Sequence, residues 1–287
     1  MIEDNIELIA TDLDGTLLDS DKNVPEGFED LVCGLDDVSF VIASGRQYYN
    51  IEDLFPKCKD KLIFIAENGG LVIRNGNVLH KDTMLPEDVR ACVEEFSDPS
   101  VCSLILCGVK SAYMLKTASK DCYENSYKYY KRLDFVDSFD GIDDDILKIA
   151  IFVEGYRAND YYNEITPIND RLDYLLSGNC WIDIANKTVS KGEAMRIIRE
   201  DLGILFENSA AFGDYLNDES LLKSCKHSFA MKNAHPLLKE QARHICEYTN
   251  DENGVMRTLG MLFEKKVNNQ YINVQIRIHT FLENIVY

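Results

Sequence analysis

Residues 6–16 read Ile6-Glu7-Leu8-Ile9-Ala10-Thr11-Asp12-Leu13-Asp14-Gly15-Thr16, a short apolar run that stops at two aspartates and a glycine. The same pattern recurs along the chain. Residues 39–43 (SFVIA) run into Ser44-Gly45-Arg46, and residues 62–66 (LIFIA) into Glu67-Asn68-Gly69-Gly70. Residues 209–212 (SAAF) run into Gly213-Asp214-Tyr215-Leu216-Asn217-Asp218, and residues 228–231 into Lys232-Asn233-Ala234-His235-Pro236. Apolar runs of about five residues bounded by Gly or polar turns read as fully buried parallel strands. Helical patterns lie between them. Ala194, Met195, Ile197, Ile198 and Leu202 recur at helix spacing, and Pro236 stands at a first-turn position. Alternating strands and helices predict an open α/β sheet, in which ligands sit outside the carboxyl ends of the strands. Those ends carry almost all the notable polar residues.

One stretch breaks the alternation. Residues 82–187 hold nine of the 15 tyrosines, and strand-like pieces at 103–106, 112–115 and 147–153 alternate with polar helical ones. This texture predicts an inserted α+β domain, with residues 1–81 and 188–264 forming the core. The return segment WIDIANKTVSKG reads as a re-entry strand and turn. The alternative is one continuous large sheet. After Glu264 a tail over 265–287 alternates Ile272, Val274, Ile276 and Ile278 with polar residues, the period-2 pattern of a half-buried strand.

The chain has 287 residues, a length that suits about two domains. Its 30 basic against 49 acidic side chains give a net charge of −19. That balance argues against nucleic acid as a partner, because phosphate neutralisation needs a basic surface. It argues equally against an anionic membrane. The longest uncharged apolar-rich stretch, residues 101–109, is about half a membrane span, and the acidic start MIEDNIEL lacks the basic and apolar regions of a secretion signal. Nine cysteines, odd in number and irregularly spaced without a C-x-x-C pair, read as reduced, buried thiols of a cytoplasmic protein.

The strand ends bring the chemistry. If Asp12, Asp14, Asp214 and Asp218 converge, each close pair repels by about 4 kcal/mol at ~4 Å and an effective dielectric near ~20. Several such terms would consume most of a domain's net stability, so the cluster needs a cation. Oxygen donors without convergent His or Cys favour a hard ion such as Mg²⁺, which typically takes a few carboxylates, waters and phosphate oxygens. Ser44 can donate to a phosphate oxygen, and Lys191 supplies a point positive charge. A carboxylate nucleophile, a second carboxylate, a divalent cation, a hydroxyl and a lysine together suit phosphoryl transfer through an aspartyl phosphate.

On these residues the sequence resembles the haloacid dehalogenase superfamily, specifically its Cof-type phosphatases of sugar phosphates and related esters. Four family motifs stand in order: DLDGT (12–16), SGR (44–46), SKG (190–192) and GDYLND (213–218). Marks of the branch are ENGG (67–70), NAHP (233–236) and TNDENGV (249–255). The resemblance covers about residues 6–263 and implies a Rossmann-like parallel core, with a large α/β cap in the gap between Ser44 and Lys191. It implies that Asp12 is the nucleophile and a metal ligand. Asp14 would be the general acid and base and would give its backbone carbonyl to the metal. Ser44, Gly45, Lys191 and Asn217 would hold the phosphoryl group, Asp214 would ligate Mg²⁺, and Asp218 would orient Lys191 or a metal-bound water. An acid at Asp14, where transport ATPases of similar motif carry Thr, implies hydrolysis of the phosphoenzyme.

Weaker candidates are Thr16, Arg46, Glu67 and Asn68, while His235 reads as a capping residue. The expected substrate is a small phosphorylated metabolite. Two alternatives are a phosphomutase of the phosphomannomutase type and a non-enzymatic phospho-accepting signalling protein. A signalling receiver would need neither a cap of this size nor the acid at Asp14.

Overall fold

The computed structural model of the protein describes residues 5–267, with side chains through residue 263; the alternating pattern at 272–278 lies outside the described residues. In chain order the first elements are β1 (Leu8–Asp12), α1 (Phe28–Gly34), β2 (Ser39–Ala43), α2 (Tyr48–Glu52), β3 (Leu62–Ala66), β4 (Leu71–Arg74) and β5 (Asn77–Lys81). Then come α3 (Pro86–Glu95), β6 (Cys102–Gly108), β7 (Ala112–Leu115), α4 (Lys120–Ser126), β8 (Leu133–Val136), β9 (Ile146–Val153), α5 (Ala158–Glu164), β10 (Leu172–Leu176) and β11 (Trp181–Asn186). The last are α6 (Lys191–Leu202), β12 (Ser209–Gly213), α7 (Glu219–Lys223), β13 (His227–Ala230), α8 (Pro236–Gln241), β14 (His244–Ile245) and α9 (Gly254–Val267).

Two sheets form. The larger runs β14-β13-β12-β1-β2-β3-β4-β5, and the smaller runs β10-β11-β9-β6-β7-β8. The chain is therefore α/β with an open, mainly parallel sheet, and the single continuous sheet is excluded. By backbone proximity the chain divides into two compact units. Among the described residues the first holds 5–44, 55–63 and 191–267, and the second holds Gly45–Leu54 and Phe64–Ser190.

Within the first unit β14, β13, β12, β1 and β2 are consecutive parallel neighbours. Every residue of β1 and β12 is buried, because such strands are covered on both faces and carry no polar alternation. Phe212 and Phe229 stack across β12 and β13 with centroids 4.8 Å apart. Helix α6 buries Ala194, Met195 and Ile198 and turns Arg196 outward, as its spacing predicts. His235 caps α8 by accepting a hydrogen bond from the Leu237 N–H, with Pro236 at the first helical position.

Within the second unit the six-stranded sheet is antiparallel except for β7 with β8. Its central strand β9 is buried at all eight positions. Ile149, Ile151 and Val153 enter one apolar cluster with Leu104, Ile182 and Ile184. Ala150 and Phe152 enter another with Ile105, Met114 and Trp181. Period-2 alternation with both faces covered explains why β9 reads as an unbroken apolar run. Lys148, which shares the face of Ala150 and Phe152, is the exception. The segment expected to re-enter the core differs: β11 pairs with β9 and β10 in the smaller sheet. Its apolar run fits a buried strand of either sheet, so the pattern alone does not assign the partner. No helix among the described residues is long and apolar enough to cross a membrane.

Candidate active site

Parallel register sets the first unit's site. Asp12 lies opposite Ala43, so Ser44 follows on the neighbouring strand end, and Thr11 lies opposite Phe212, so Gly213 and Asp214 follow on the other side. Three adjacent carboxyl ends thus present Asp12, Ser44 and Asp214. Asp12, Thr16, Ser44, Lys191 and Asp218 are all buried.

Lys191 is the first residue of α6 and its side chain is fully buried. Its Nζ donates to Asp12 Oδ1 and to Asp218 Oδ1, each at 2.6 Å. Gly192 makes this entry possible: a Cβ there would lie 2.4 Å from the Ser220 carbonyl oxygen, so only glycine lets the two backbones approach. Asp218 uses its other oxygen to accept from the N–H groups of Asp214 (3.0 Å) and Tyr215 (3.1 Å). Thr16 Oγ1 donates to Asp214 Oδ1 at 3.1 Å. Gly15 has φ +83°, and a Cβ on it would fall 2.3 Å from Asp214 Oδ2. The turn after β1 therefore demands glycine twice over, for its left-handed backbone and for its contact with Asp214.

The electrostatics follow the geometry. Burial, and then the neighbouring Asp218 charge, push Asp12 above the ordinary carboxylate range, although Lys191 pulls the other way. Burial and Asp218 push Asp214 up to about 6 against the Thr16 hydrogen bond. Burial works against the Lys191 ammonium, but Asp12 and Asp218 outweigh it and the pKa is raised. One ammonium thus bridges two of the three carboxylates. Asp12, Asp214 and Asp218 each offer an oxygen within 4.8 Å of one another, an all-oxygen donor set that could hold a hard metal ion.

The Asp14 carboxylate does not join that group. It pairs with Lys22 at 2.8 Å, and both side chains are partly exposed. Asn217 is exposed on the turn between Asp214 and Asp218. Gly45, Arg46, Glu67 and Asn68 belong to the second unit. There the Arg46 carbonyl accepts from the Glu67 N–H at 3.1 Å, and Gly45 backs onto the Asn68 side chain.

Sequence reasoning missed three features. Lys148 is buried between Glu67 (2.9 Å) and Asp183 (3.2 Å), and its Nζ lies 3.4 Å from the Gly45 carbonyl oxygen. Burial opposes its charge, yet the two carboxylates hold its pKa well above the usual value. Its signal was a lone lysine inside an apolar strand. Lys22 beside Asp14 had no signal beyond being one of 30 basic residues. The third is a set of asparagine contacts to the turn after β1, for which the signal was the unexplained NAHP and TNDENGV stretches.

Comparison with known proteins places this geometry. A family model of haloacid dehalogenase-like hydrolases matches residues 9–259. The chain is 30% identical over 252 residues to the 5-amino-6-(5-phospho-D-ribitylamino)uracil phosphatase YbjI of Escherichia coli K12, covering 86% of this chain and 93% of that one. It is 26% identical over 257 residues to the 5-amino-6-(5-phospho-D-ribitylamino)uracil phosphatase YcsE of Bacillus subtilis 168, covering 89% of this chain and 95% of that one. The crystal structure of SMU.1108c from Streptococcus mutans UA159 superposes with a TM-score of 0.80 at 27% identity, covering 91% of this chain and all of that one. The chain belongs to the haloacid dehalogenase-like hydrolases, in their Cof-type phosphatase branch.

Proposed function

We propose that this enzyme hydrolyses the phosphate monoester of a small metabolite through an aspartyl phosphate on Asp12, with Mg²⁺ as cofactor. The observation that supports it best is the lysine-bridged pair Asp12–Lys191–Asp218 beside Asp214, at the carboxyl ends of parallel strands. Asp12 and Asp214, with the Asp14 backbone carbonyl, would hold Mg²⁺, which would supply positive charge to the phosphoryl oxygens and screen the nucleophile from them.

Lys191 takes Oδ1 of Asp12, and in this reading Oδ2 attacks phosphorus. As that P–O bond forms, the ester P–O bond breaks, and Asp14, which enters this step protonated and out of its pair with Lys22, gives its proton to the departing alkoxide. Ser44 and Asn217 donate to the phosphoryl oxygens, and the Lys191 ammonium offsets their growing charge. Asp14, now ionised, takes a proton from water, the resulting hydroxide attacks phosphorus, and the Asp12 carboxylate leaves with inorganic phosphate released. Asp218 holds Lys191 in place throughout.

Strand-end acids meet only the phosphoryl group and the ester oxygen, which every phosphate monoester shares, so we assign substrate choice to residues 82–187. The two relatives named above make 5-amino-6-(5-phospho-D-ribitylamino)uracil the first substrate to test. A phosphomutase is less favoured, because those relatives match along nearly their whole length and are named phosphatases.

The test is phosphate release from that compound, from hexose phosphates and from p-nitrophenyl phosphate, each with Mg²⁺ or with EDTA. Mg²⁺-dependent release without a bisphosphate activator is expected. Release undiminished by EDTA, or absent from every ester, would overturn the reading. Replacing residues 82–187 by those of a relative with other preferences should change the substrate ranking, and an unchanged ranking would refute that assignment.

A further inference from the structure

We infer that Asn233 and Asn250 are positioning residues for the turn that carries the active-site acids, an inference that rests on the phosphatase reading above. The segment after β1 is held at three points from the far end of the chain. Asn233 Nδ2 donates to the Gly15 carbonyl oxygen at 2.7 Å. Asn250 Nδ2 donates to the Leu18 carbonyl oxygen at 3.0 Å. Asp251 accepts from Ser20 through both carboxylate oxygens, from the N–H at 2.7 Å and from Oγ at 2.8 Å. The two asparagines are tied to each other, because Asn233 Oδ1 accepts from the Asn250 N–H at 3.1 Å. The two ends of the Asn233 amide thus have separate tasks, Nδ2 as donor to Gly15 and Oδ1 as acceptor from Asn250.

The brace is itself prepared. Thr249 and Glu252 close a reciprocal capping box over residues 250–252, and Asn253 ends that turn with a left-handed backbone at φ +58°. Asn250 is buried, so its amide is committed to this contact.

What it braces is the geometry of catalysis. The Gly15 carbonyl belongs to the peptide that leads into Thr16, whose hydroxyl holds Asp214. The backbone bonds of Thr16 to Leu13, Leu17 to Asp12 and Leu18 to Leu13 fold the same turn around the two catalytic aspartates. With glycine at its apex, the turn has no side chain of its own to hold the Gly15–Thr16 peptide plane. Asn233 holds it from outside, more than two hundred residues away in sequence. The NAHP and TNDENGV stretches thereby acquire a physical role.

The experiment uses the full chain with Asn233→Ala, Asn233→Asp, Asn250→Ala and the double alanine variant. Four quantities are read: kcat and KM for p-nitrophenyl phosphate at saturating Mg²⁺, hydrogen exchange at the amides of residues 16–18 in metal-free protein, and Tm. A misplacement of about 1 Å costs roughly 10²-fold, so Asn233→Ala should lower kcat by about 10- to 100-fold with little change in KM. Exchange at residues 16–18 should quicken while the amides of β1 stay protected. Asn233→Asp keeps the acceptor for Asn250 but turns a carboxylate oxygen toward the Gly15 carbonyl, so it should be no better than alanine. Asn233 and Asn250 hold different carbonyls but share one hydrogen bond, so the double variant should lose less than the sum of the two singles. Wild-type kcat and exchange in Asn233→Ala would overturn the inference. So would faster exchange spread through the whole first unit with a matching fall in Tm, because that describes a stability element. If the wild type releases no phosphate from any ester, the phosphatase reading fails. The exchange data then decide the brace alone: local acceleration sustains it, and none refutes it.

Discussion

Replacing Lys191 by Met removes one ammonium and leaves a side chain of similar length. In the wild type that ammonium lies 2.6 Å from both Asp12 and Asp218 and its side chain is wholly buried. Without it the two carboxylates, with oxygens within 4.8 Å, repel by about 3.5 kcal/mol at an effective dielectric near ~20. That figure agrees with the ~3–5 kcal/mol typical for breaking a buried pair by removing one partner. At roughly 2–4 °C per kcal/mol for a chain of this size, metal-free Lys191→Met should melt about 6–20 °C below wild type near neutral pH. Adding Asp218→Asn removes one of the stranded charges, so the double variant should recover much of the loss instead of adding to it. Acidification should also narrow the gap, because the stranded carboxylates can then take up protons. Calorimetry in EDTA on wild type, both singles and the double variant measures this directly. A loss of less than about 1 kcal/mol, or additive losses in the double variant, would refute the idea that Lys191 neutralises this buried cluster.

Further outcomes follow from the same geometry. Burial raises Asp214 to about 6 and raises Asp12, so the metal-free fold binds more protons than the unfolded chain above about pH 4. Its stability should therefore fall as pH rises through pH 6 and on to neutrality. Mg²⁺ should raise Tm more at neutral pH than at pH 5, and an equal rise at both would contradict a site built from these acids. Gly15→Ala places a Cβ 2.3 Å from Asp214 Oδ2 at φ +83°, so it should weaken Mg²⁺ affinity as well as stability; titration calorimetry showing wild-type affinity would count against the Asp214 assignment. Asp14→Asn should slow phosphoenzyme formation from a sugar phosphate far more than from an aryl phosphate, since only a poor leaving group needs the proton. A burst of about one equivalent of nitrophenol should then precede a slow steady state. Equal losses for both esters without a burst would make Asp14 a structural residue.

The parallel strands and their polar ends were legible because each strand is short, buried on both faces and stopped by its own polar turn. Lys191–Leu202 was legible because helix spacing and a strand-distant lysine coincide in one segment. The assignment of β11 to the smaller sheet was not, since an apolar run names a buried strand without naming its neighbour. Lys148 escaped because a charge inside an apolar strand has meaning only with its partners, and Glu67 and Asp183 are 81 and 35 residues away. The asparagine brace escaped for the same reason: Asn233 reads as a turn residue until its contact with Gly15 is seen. Repulsion said only that Asp12, Asp14, Asp214 and Asp218 would need a cation if they converged; that they do was implied by the resemblance, and the Asp14 carboxylate stays outside the group. The engagement of Asp14 with Lys22 was not legible, because both lie in the turn segment between β1 and α1 among ordinary turn residues.

The central claim is that Asp12 carries the phosphoryl group. Rapid acid quench of the enzyme with ³²P-labelled substrate and Mg²⁺, followed by peptide mapping, tests it most directly. Label should appear on the peptide containing Asp12, accumulate in Asp14→Asn and vanish in Asp12→Asn. Label on any other residue, or turnover by Asp12→Asn above the buffer rate, would contradict it.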